Sequence, residues 1–473
     1  MTDLDRSAAL RWFRRNRARS RTLFSIVLPD AFLERPIALR HPIVFYEGHL
    51  AAFNVNTLLG RGLGRPPLDP ELDVLFERGI DPLDDQSAAH SRRATWPARA
   101  RIADYARAAD AAVADAISRA DVDRADSPVL RGGLALYSIL EHEAMHHETL
   151  LYMLHQLPYA QKRPPAGDEL VTAVGAACAD TRADAARGSD RAPGASRSAT
   201  ASSRRPADRV PERATVRIPA GPATLGADAT RVRFGWDNEF PLHRVAVAAF
   251  RIDVDDVTNG DYLEFVDAGG YARPELWDAD GWTWRARDGV QHPAFWLRRG
   301  GEWHWRGMLA PSPLPFAAPV YVSWAEASAF ARWKRKRLPT EAEYHRAAFG
   351  TPGGDERAYP WGDDAPDPSR GLFDLRAFDP VAVGSFPAGT SAFGVRDLVG
   401  NGWEWTSTPF AGFSGFAPSA AYPGYSADFF DGRHFVMKGA SPATAIPLIR
   451  RSWRNWFQPH YPYPYAAFRL VHE

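Results

Sequence analysis

At 473 residues the chain exceeds one ordinary core, and at roughly 150 residues per domain it divides into two or three. Lysine plus arginine and aspartate plus glutamate both number 57, so no net charge draws the protein to nucleic acid or to an anionic membrane, and small-molecule partners are expected. The single cysteine, Cys178, excludes an internal disulfide framework and chemistry by a cysteine pair, and it fits a reducing compartment.

The N-terminus carries Arg11, Arg14, Arg15, Arg17 and Arg19 and leads into only a short apolar patch, not the core of a signal peptide. No run approaches the roughly 20 apolar residues that span a bilayer, so a cytoplasmic protein is expected. From Asp3 to about Gln161 apolar residues recur three and four apart, as in Ile102, Tyr105, Ala109, Val113 and Ile117, which predicts helices. Four segments are expected, near Asp5 to Leu28, Ile43 to Leu59, Ala98 to Ala120, and Gly133 to His155. They predict an all-α four-helix bundle whose metal or ligand site is built from inward side chains on facing helices.

The second segment contains Phe45-Tyr46-Glu47-Gly48-His49-Leu50, and the fourth contains Glu141-His142-Glu143-Ala144-Met145-His146-His147-Glu148. One helical turn separates His142 from His146, so both imidazoles can reach a single ion, and a bundle can aim His49 at the same point. A lone histidine in an apolar stretch such as that around His49 is more often a packed residue than a ligand. His142-Glu143-x-x-His146 also spells the zincin motif, with Glu143 as general base, so a zinc metallopeptidase of the H-E-x-x-H type stays open. Its extended metzincin form fails, because Thr149 and Tyr152 stand where glycine and histidine are needed.

Between Pro164 and Arg213 the composition changes. From Thr181 to Arg209 the chain is wholly Ala, Arg, Ser, Asp, Gly, Thr and Pro, which reads as a disordered linker. After Thr215 the chain has short alternating stretches, frequent Gly and Pro and most of the 16 tryptophans, with a helical stretch near Ala325 to Trp333. That pattern predicts an irregular α+β domain. The expected boundaries are a bundle over 1–163, a linker over 164–213 and a second domain over 214–473.

Taken together these residues resemble the ergothioneine sulfoxide synthase family and the related selenoneine synthases, whose members join a DinB-like four-helix bundle to a formylglycine-generating-enzyme-like (C-type-lectin-like) domain. The family's H-x3-H-x-E signature matches His142, His146 and Glu148, and its upstream helix histidine matches His49. The resemblance implies iron(II) held by the three histidines, dioxygen as co-substrate, and Glu148 as a support residue. Further matches are Ile218 to Gly221, Asn238 to His243, Val257-Thr258-Asn259, Arg337 to Glu343, Leu398 to Trp405, and Lys438 to Ser441, most of them expected to be structural. True formylglycine generation depends, in that family, on active-site cysteines; this second domain has none, so it is expected to serve as a substrate-binding wall.

Arg454-Asn455-Trp456 resembles the family's R-N-W element, which implies that Asn455 and Trp456 hold the trimethylammonium end of hercynine, with Phe457 and Tyr461 completing the substrate set. Tyr422 and Tyr425 lie in the loop where the family places a catalytic tyrosine. Where the γ-glutamylcysteine branch continues with acidic and basic residues, this chain reads Phe457-Gln458-Pro459-His460-Tyr461. Met145 replaces a common glutamine, and Tyr46-Glu47-Gly48-His49 replaces W-H-L-x-H. The missing charged residues disfavour γ-glutamylcysteine, the other two departures suggest a distinct branch, and a selenosugar or free cysteine is left as donor. An aromatic, hydroxyl-rich tail with Tyr461, Tyr463 and Tyr465 suits the sugar better. The expected activity is oxygen-dependent formation of a carbon–selenium or carbon–sulfur bond at the imidazole C2 of hercynine.

Overall fold

The computed structural model describes residues 5–77, 95–165 and 213–472. Cys178 and all but the ends of the linker expected over 164–213 lie outside the described residues.

Helix α1 (Arg6–Ser25) starts at Asp5, whose carboxylate accepts the Ala8 backbone N–H and satisfies a donor that the helix start leaves free. Its buried stripe runs through Ala9, Phe13, Arg17, Ser20 and Phe24, the spacing of a one-sided helix. Helix α2 (Ile43–Asn54), buried at every residue except Glu47, runs on as a π-helix over Val55–Gly62. A short helix α3 (Pro70–Leu75), capped by Asp69, leads to α4 (Arg99–Arg119), which buries the five positions marked by the periodicity, Ile102, Tyr105, Ala109, Val113 and Ile117. Helix α5 (Leu134–Gln156) begins at the left-handed Gly133. Both α1 and α2 pack on α4 and α5. The four long helices therefore form one bundle, with bounds within a turn of those expected.

The C-terminal domain is built from short strands. Strands β1 (Thr215–Ile218) and β12 (Val471–His472) flank β4 (Phe250–Asp253), so the two ends of the domain close on one strand. Strand β2 (Gly221–Leu225) pairs with β3 (His243–Val247), and β5 (Trp296–Arg299), β6 (Glu302–Arg306) and β7 (Pro311–Pro313) form a meander. The largest sheet has β8 (Gly402–Pro409) and β9 (Phe435–Ala440) at its centre, with β10 (Asn455–Phe457) and β11 (Ala466–Ala467) at its edges.

Four helices join these strands: α6 (Asn259–Asp267), α7 (Ala279–Arg287), α8 (Trp324–Trp333) and α9 (Glu341–Phe349). Only α8 is legible in the periodicity, because nine residues are too few for the 3.6-residue repeat to declare itself. Capping boxes at Thr258/Asp261 and Thr340/Glu343 mark the starts of α6 and α9.

Most of the matched motifs are structural, as expected. Arg337 pairs with the capping residue Glu343. Asn401, in the left-handed region at φ 65°, exchanges two hydrogen bonds with the Val381 backbone, and Glu404 joins Arg469 and Asp256 in an ion group closed off from solvent. One hydrophobic core runs from the bundle into the C-terminal domain. No helix among the described residues is long and apolar enough to cross a membrane.

Candidate active site

Helix α5 is buried on three faces, and each face has a different neighbour. Glu141, Met145, Glu148, Tyr152 and His155 follow each other in steps of four and three, which aligns them in one stripe. That stripe meets the C-terminal domain. The Glu141 carboxylate accepts from Trp236 Nε1 at 2.9 Å and from both terminal nitrogens of Arg450 at 2.7 and 2.9 Å. Met145 Sδ accepts the Tyr425 hydroxyl at 3.2 Å. Glu148 accepts Trp403 Nε1 at 2.5 Å, the Ser441 hydroxyl at 2.9 Å and the Thr444 hydroxyl at 3.2 Å; burial pushes its carboxyl up to about 7 against these three donors. His155 meets the Tyr465 hydroxyl at 2.6 Å and Asp379 at 3.1 Å.

A second face meets α1. Glu143 accepts from Arg17 at 2.7 Å and from Ser20 at 2.6 Å, and His147 lies 2.9 Å from the same Ser20 hydroxyl. Glu143 is therefore committed to an internal ion pair, not held as a general base, and the zincin alternative loses its defining residue.

The third face meets α2 and brings together the three histidines marked in the sequence. His142 Nε2 lies 3.3 Å from His49 Nε2 and 3.1 Å from His146 Nε2, and one nitrogen from each ring falls within 4.8 Å of the others. His49 Nδ1 donates to the Phe76 carbonyl at 2.8 Å, which leaves the lone pair on Nε2, the atom facing the other two rings. Phe53 stacks on His142 at 3.5 Å and Phe45 on His49 at 5.2 Å, so both rings are held in orientation. Burial keeps His49 near 4, and burial followed by the neighbouring imidazoles keeps His142 and His146 far below their ordinary value. Three neutral imidazoles converging on one point beside an open cavity could hold one divalent transition metal, with coordination positions left for small ligands. Gly48 has a role here: a Cβ at this position would sit 2.4 Å from the Phe76 ring, whose residue orients His49.

A cavity of about 260 Å³ opens beside His142 and His146, between α5 and the end of β10. On one side Trp456 stacks on Phe410 at 4.0 Å, with Tyr425 at 5.3 Å and Phe429 at 5.7 Å. On the other side Phe457 stacks on Tyr461 at 5.1 Å and both pack around Arg40. Alternation along β10 sends Trp456 and Phe457 to opposite walls.

Tyr422, Tyr425, Asn455, Trp456, Phe457 and Tyr461 all line this cavity. The Asn455 side-chain oxygen Oδ1 accepts the Trp456 backbone N–H at 2.9 Å. Tyr422 lies edge-on to His142, ring centroids 6.3 Å apart, and to Phe53 at 5.2 Å. Tyr425 stacks on Trp236 at 4.0 Å, and burial, then nearby carboxylates, hold its phenol well above the ordinary value. Of the three tail tyrosines only Tyr461 lines the cavity; Tyr463 packs behind it and Tyr465 is turned to His155. The wall is also not uncharged, since Arg40 is buried in it and Asp431 and Arg433 lie at its exposed rim. Sequence reasoning missed Arg40, Arg450 and Phe429. Arg40 sits in the turn before α2 with no motif around it, and it enters the site only when the domains meet.

Residues 13–150 match the DinB superfamily, and residues 200–473 match the sulfatase-modifying factor enzyme 1-like domain. A protein named hercynine oxygenase from Mycolicibacterium smegmatis is 32% identical over 464 residues, covering 96% of this chain and 96% of that protein. One of the same name from Mycolicibacterium thermoresistibile is 33% identical, covering 96% of this chain and 92% of that protein. Ergothioneine biosynthesis protein 1 of Neurospora crassa is 28% identical over 94% of this chain and 55% of its own length.

Proposed function

This chain, a DinB-superfamily bundle joined to a sulfatase-modifying-factor-like domain, belongs to the family of the hercynine oxygenases, and we propose that it uses iron and dioxygen to join a sulfur or selenium donor to the imidazole C2 of hercynine. The observation that carries this reading is the convergence of His49, His142 and His146 on one point beside a cavity with an aromatic wall. Iron(II) held there would supply the one-electron chemistry that lets dioxygen react with organic substrates. In balance, the ring C2–H bond and the donor's chalcogen–hydrogen bond break and a carbon–chalcogen bond forms. One oxygen atom ends on the chalcogen, the other leaves as water with the two hydrogens, and dioxygen accepts four electrons.

The chain's own residues bind, orient and hold protons. The ring faces of Trp456, Tyr425 and Phe429 suit a quaternary ammonium, which cannot donate hydrogen bonds and is held by electron-rich surfaces. Anchoring that end sets the imidazole beside His142 and His146, and this positioning is the enzyme's main contribution. In this reading Tyr422, whose ring lies edge-on to His142, holds a proton at its hydroxyl for the reacting centre.

For the donor the reading is a selenosugar. The stacked pair Phe457 and Tyr461, with Gln458, offers the ring face and polar groups that a sugar uses, and the acidic and basic residues of the γ-glutamylcysteine branch are absent after Trp456. Free cysteine is the second reading, favoured by the buried guanidinium of Arg40.

The test is an aerobic assay of iron-loaded protein with hercynine and, separately, selenosugar, cysteine or γ-glutamylcysteine, with products identified by mass spectrometry. A selenium adduct formed only with the selenosugar is expected; a sulfoxide from cysteine would move the protein to the second reading, and no adduct from any mixture would sink the proposal. In the same assay Tyr422→Phe is expected to lower adduct yield about 100-fold, the scale of a lost proton donor, and Tyr425→Phe to act mainly on hercynine KM. Unchanged yield in Tyr422→Phe would remove that tyrosine from the mechanism.

A further inference from the structure

A methionine sulfur is oxidised where an oxidant can reach its lone pairs, so burial selects among the methionines of a folded chain. This chain has five. Met153, Met308 and Met437 are sealed in the core at 0%, 1% and 0% exposure, and Met1 lies outside the described residues. Met145 is the one described methionine that is only half-buried, and it lines the active-site cavity together with His142 and His146.

The Met145 sulfur has two lone pairs. One accepts the Tyr425 hydroxyl at 3.2 Å, which leaves the other for an oxidant. A cavity that admits dioxygen also admits a peroxide of similar size. Tyr425 carries any change at the sulfur onward, because its ring lies between Trp236 at 4.0 Å and Trp456 at 5.3 Å and so belongs to the aromatic wall.

We propose that Met145 is a redox-modification site, at which hydrogen peroxide converts the thioether to the sulfoxide and thereby weakens binding at the aromatic wall. In that step the peroxide O–O bond breaks and an S–O bond forms. Sulfur gives up two electrons, and the second oxygen leaves as water with both hydrogens. The sulfoxide is polar where the thioether was apolar, and its oxygen is a stronger acceptor for the Tyr425 hydroxyl than sulfur is. That hydroxyl follows the new oxygen, and the added atom takes space from a cavity of only about 260 Å³. Enzymatic reduction of the sulfoxide reverses the change. That hercynine is the ligand affected rests on the function proposed above; the oxidation itself does not.

The test exposes the full-length protein and Met145→Leu to dilute hydrogen peroxide before metal loading. Part of each sample goes to peptide mass spectrometry, and the rest is loaded with iron and titrated anaerobically with hercynine. The peptide carrying Met145 is expected to gain one oxygen while those carrying Met153, Met308 and Met437 stay unchanged. Oxidised wild type is expected to bind hercynine roughly 10-fold more weakly, the scale of one misplaced group in a fitted pocket, and to recover after treatment with methionine sulfoxide reductases. Met145→Leu, which keeps a similar volume without sulfur, is expected to bind equally before and after peroxide. Oxidation of Met145 no faster than that of the buried methionines overturns the proposal, as does full oxidation with unchanged hercynine binding. An equal loss in peroxide-treated Met145→Leu assigns the effect to another residue and overturns it too. If untreated protein does not bind hercynine, the proposed function fails and the effect on binding with it, whereas selective oxidation of Met145 still upholds the modification site.

Discussion

His146→Ala is expected to abolish turnover and to lower metal affinity by more than the roughly 100-fold that loss of a residue behind the ligands costs. His49, His142 and His146 are the only candidate metal-binding group of three among the described residues, so no fourth side chain replaces the lost nitrogen. The informative partner is Glu143→Gln. In a zincin that change removes the general base and with it all activity. Here Glu143 shares Arg17 with Asp110 and accepts from Ser20 inside the bundle, so the variant should bind metal as wild type does and lose stability instead, by about 1.5–3 kcal/mol for a lost hydrogen bond to a charged group. Metal content after dialysis, turnover and thermal unfolding of the two variants separate the cases. Full metal occupancy in His146→Ala would refute the assigned ligand set, and a stable but inactive Glu143→Gln would bring back the hydrolytic reading.

The second large effect is expected at Arg450. Its guanidinium lies between two buried carboxylates, 2.7 Å from Glu141 of the bundle and 2.5 Å from Glu239 of the C-terminal domain. Arg450→Met leaves both carboxylates without their cation and is expected to cost about 3–5 kcal/mol, a drop of roughly 3–5 °C in Tm for a chain of this length. Activity should fall further than stability, because α5 carries two of the three histidines and is pinned to the cavity wall through Glu141.

The pH dependence has a definite sign. Burial pushes the Glu239 carboxyl up, but the Arg450 charge and hydrogen bonds, with Ser452, hold it below its ordinary value. A depressed carboxyl stabilises the fold above its unfolded value and loses that contribution as the pH falls through the folded one. Glu141, the other partner, is pushed up by burial to about 7 even beside Arg450, so the gap between wild type and Arg450→Met should be largest above neutral pH and narrow as the pH falls from there through the carboxylate range. Thermal unfolding from pH 4 to pH 8 checks this, and a gap independent of pH would refute the assignment. Adding Glu141→Gln to Arg450→Met should recover part of the loss.

The four long helices were legible because each repeats its apolar positions over several turns, as Ile102, Tyr105, Ala109, Val113 and Ile117 do. His142 and His146 were legible as a pair because one helical turn places them together whatever surrounds the helix. Asn455, Trp456, Tyr422 and Tyr425 came from motif resemblance, and the fold brings all four to one cavity. The short helices α6, α7 and α9 were missed, since nine residues do not establish a period.

Sequence by itself thus determined what local geometry dictates: a helical bundle, a change of architecture in the second half, and two histidines on one face of one helix. Tertiary structure alone decided the rest. His49 becomes a candidate ligand only because α2 packs against α5 and the Phe76 carbonyl takes its Nδ1–H. Glu143 leaves the chemistry only because Arg17, far away in sequence, reaches it first. Arg40 and Arg450 enter the site and its frame because two domains with different periodicities close on the same helix. Burial and partner identity arise from contacts across the fold, and no local spacing encodes them.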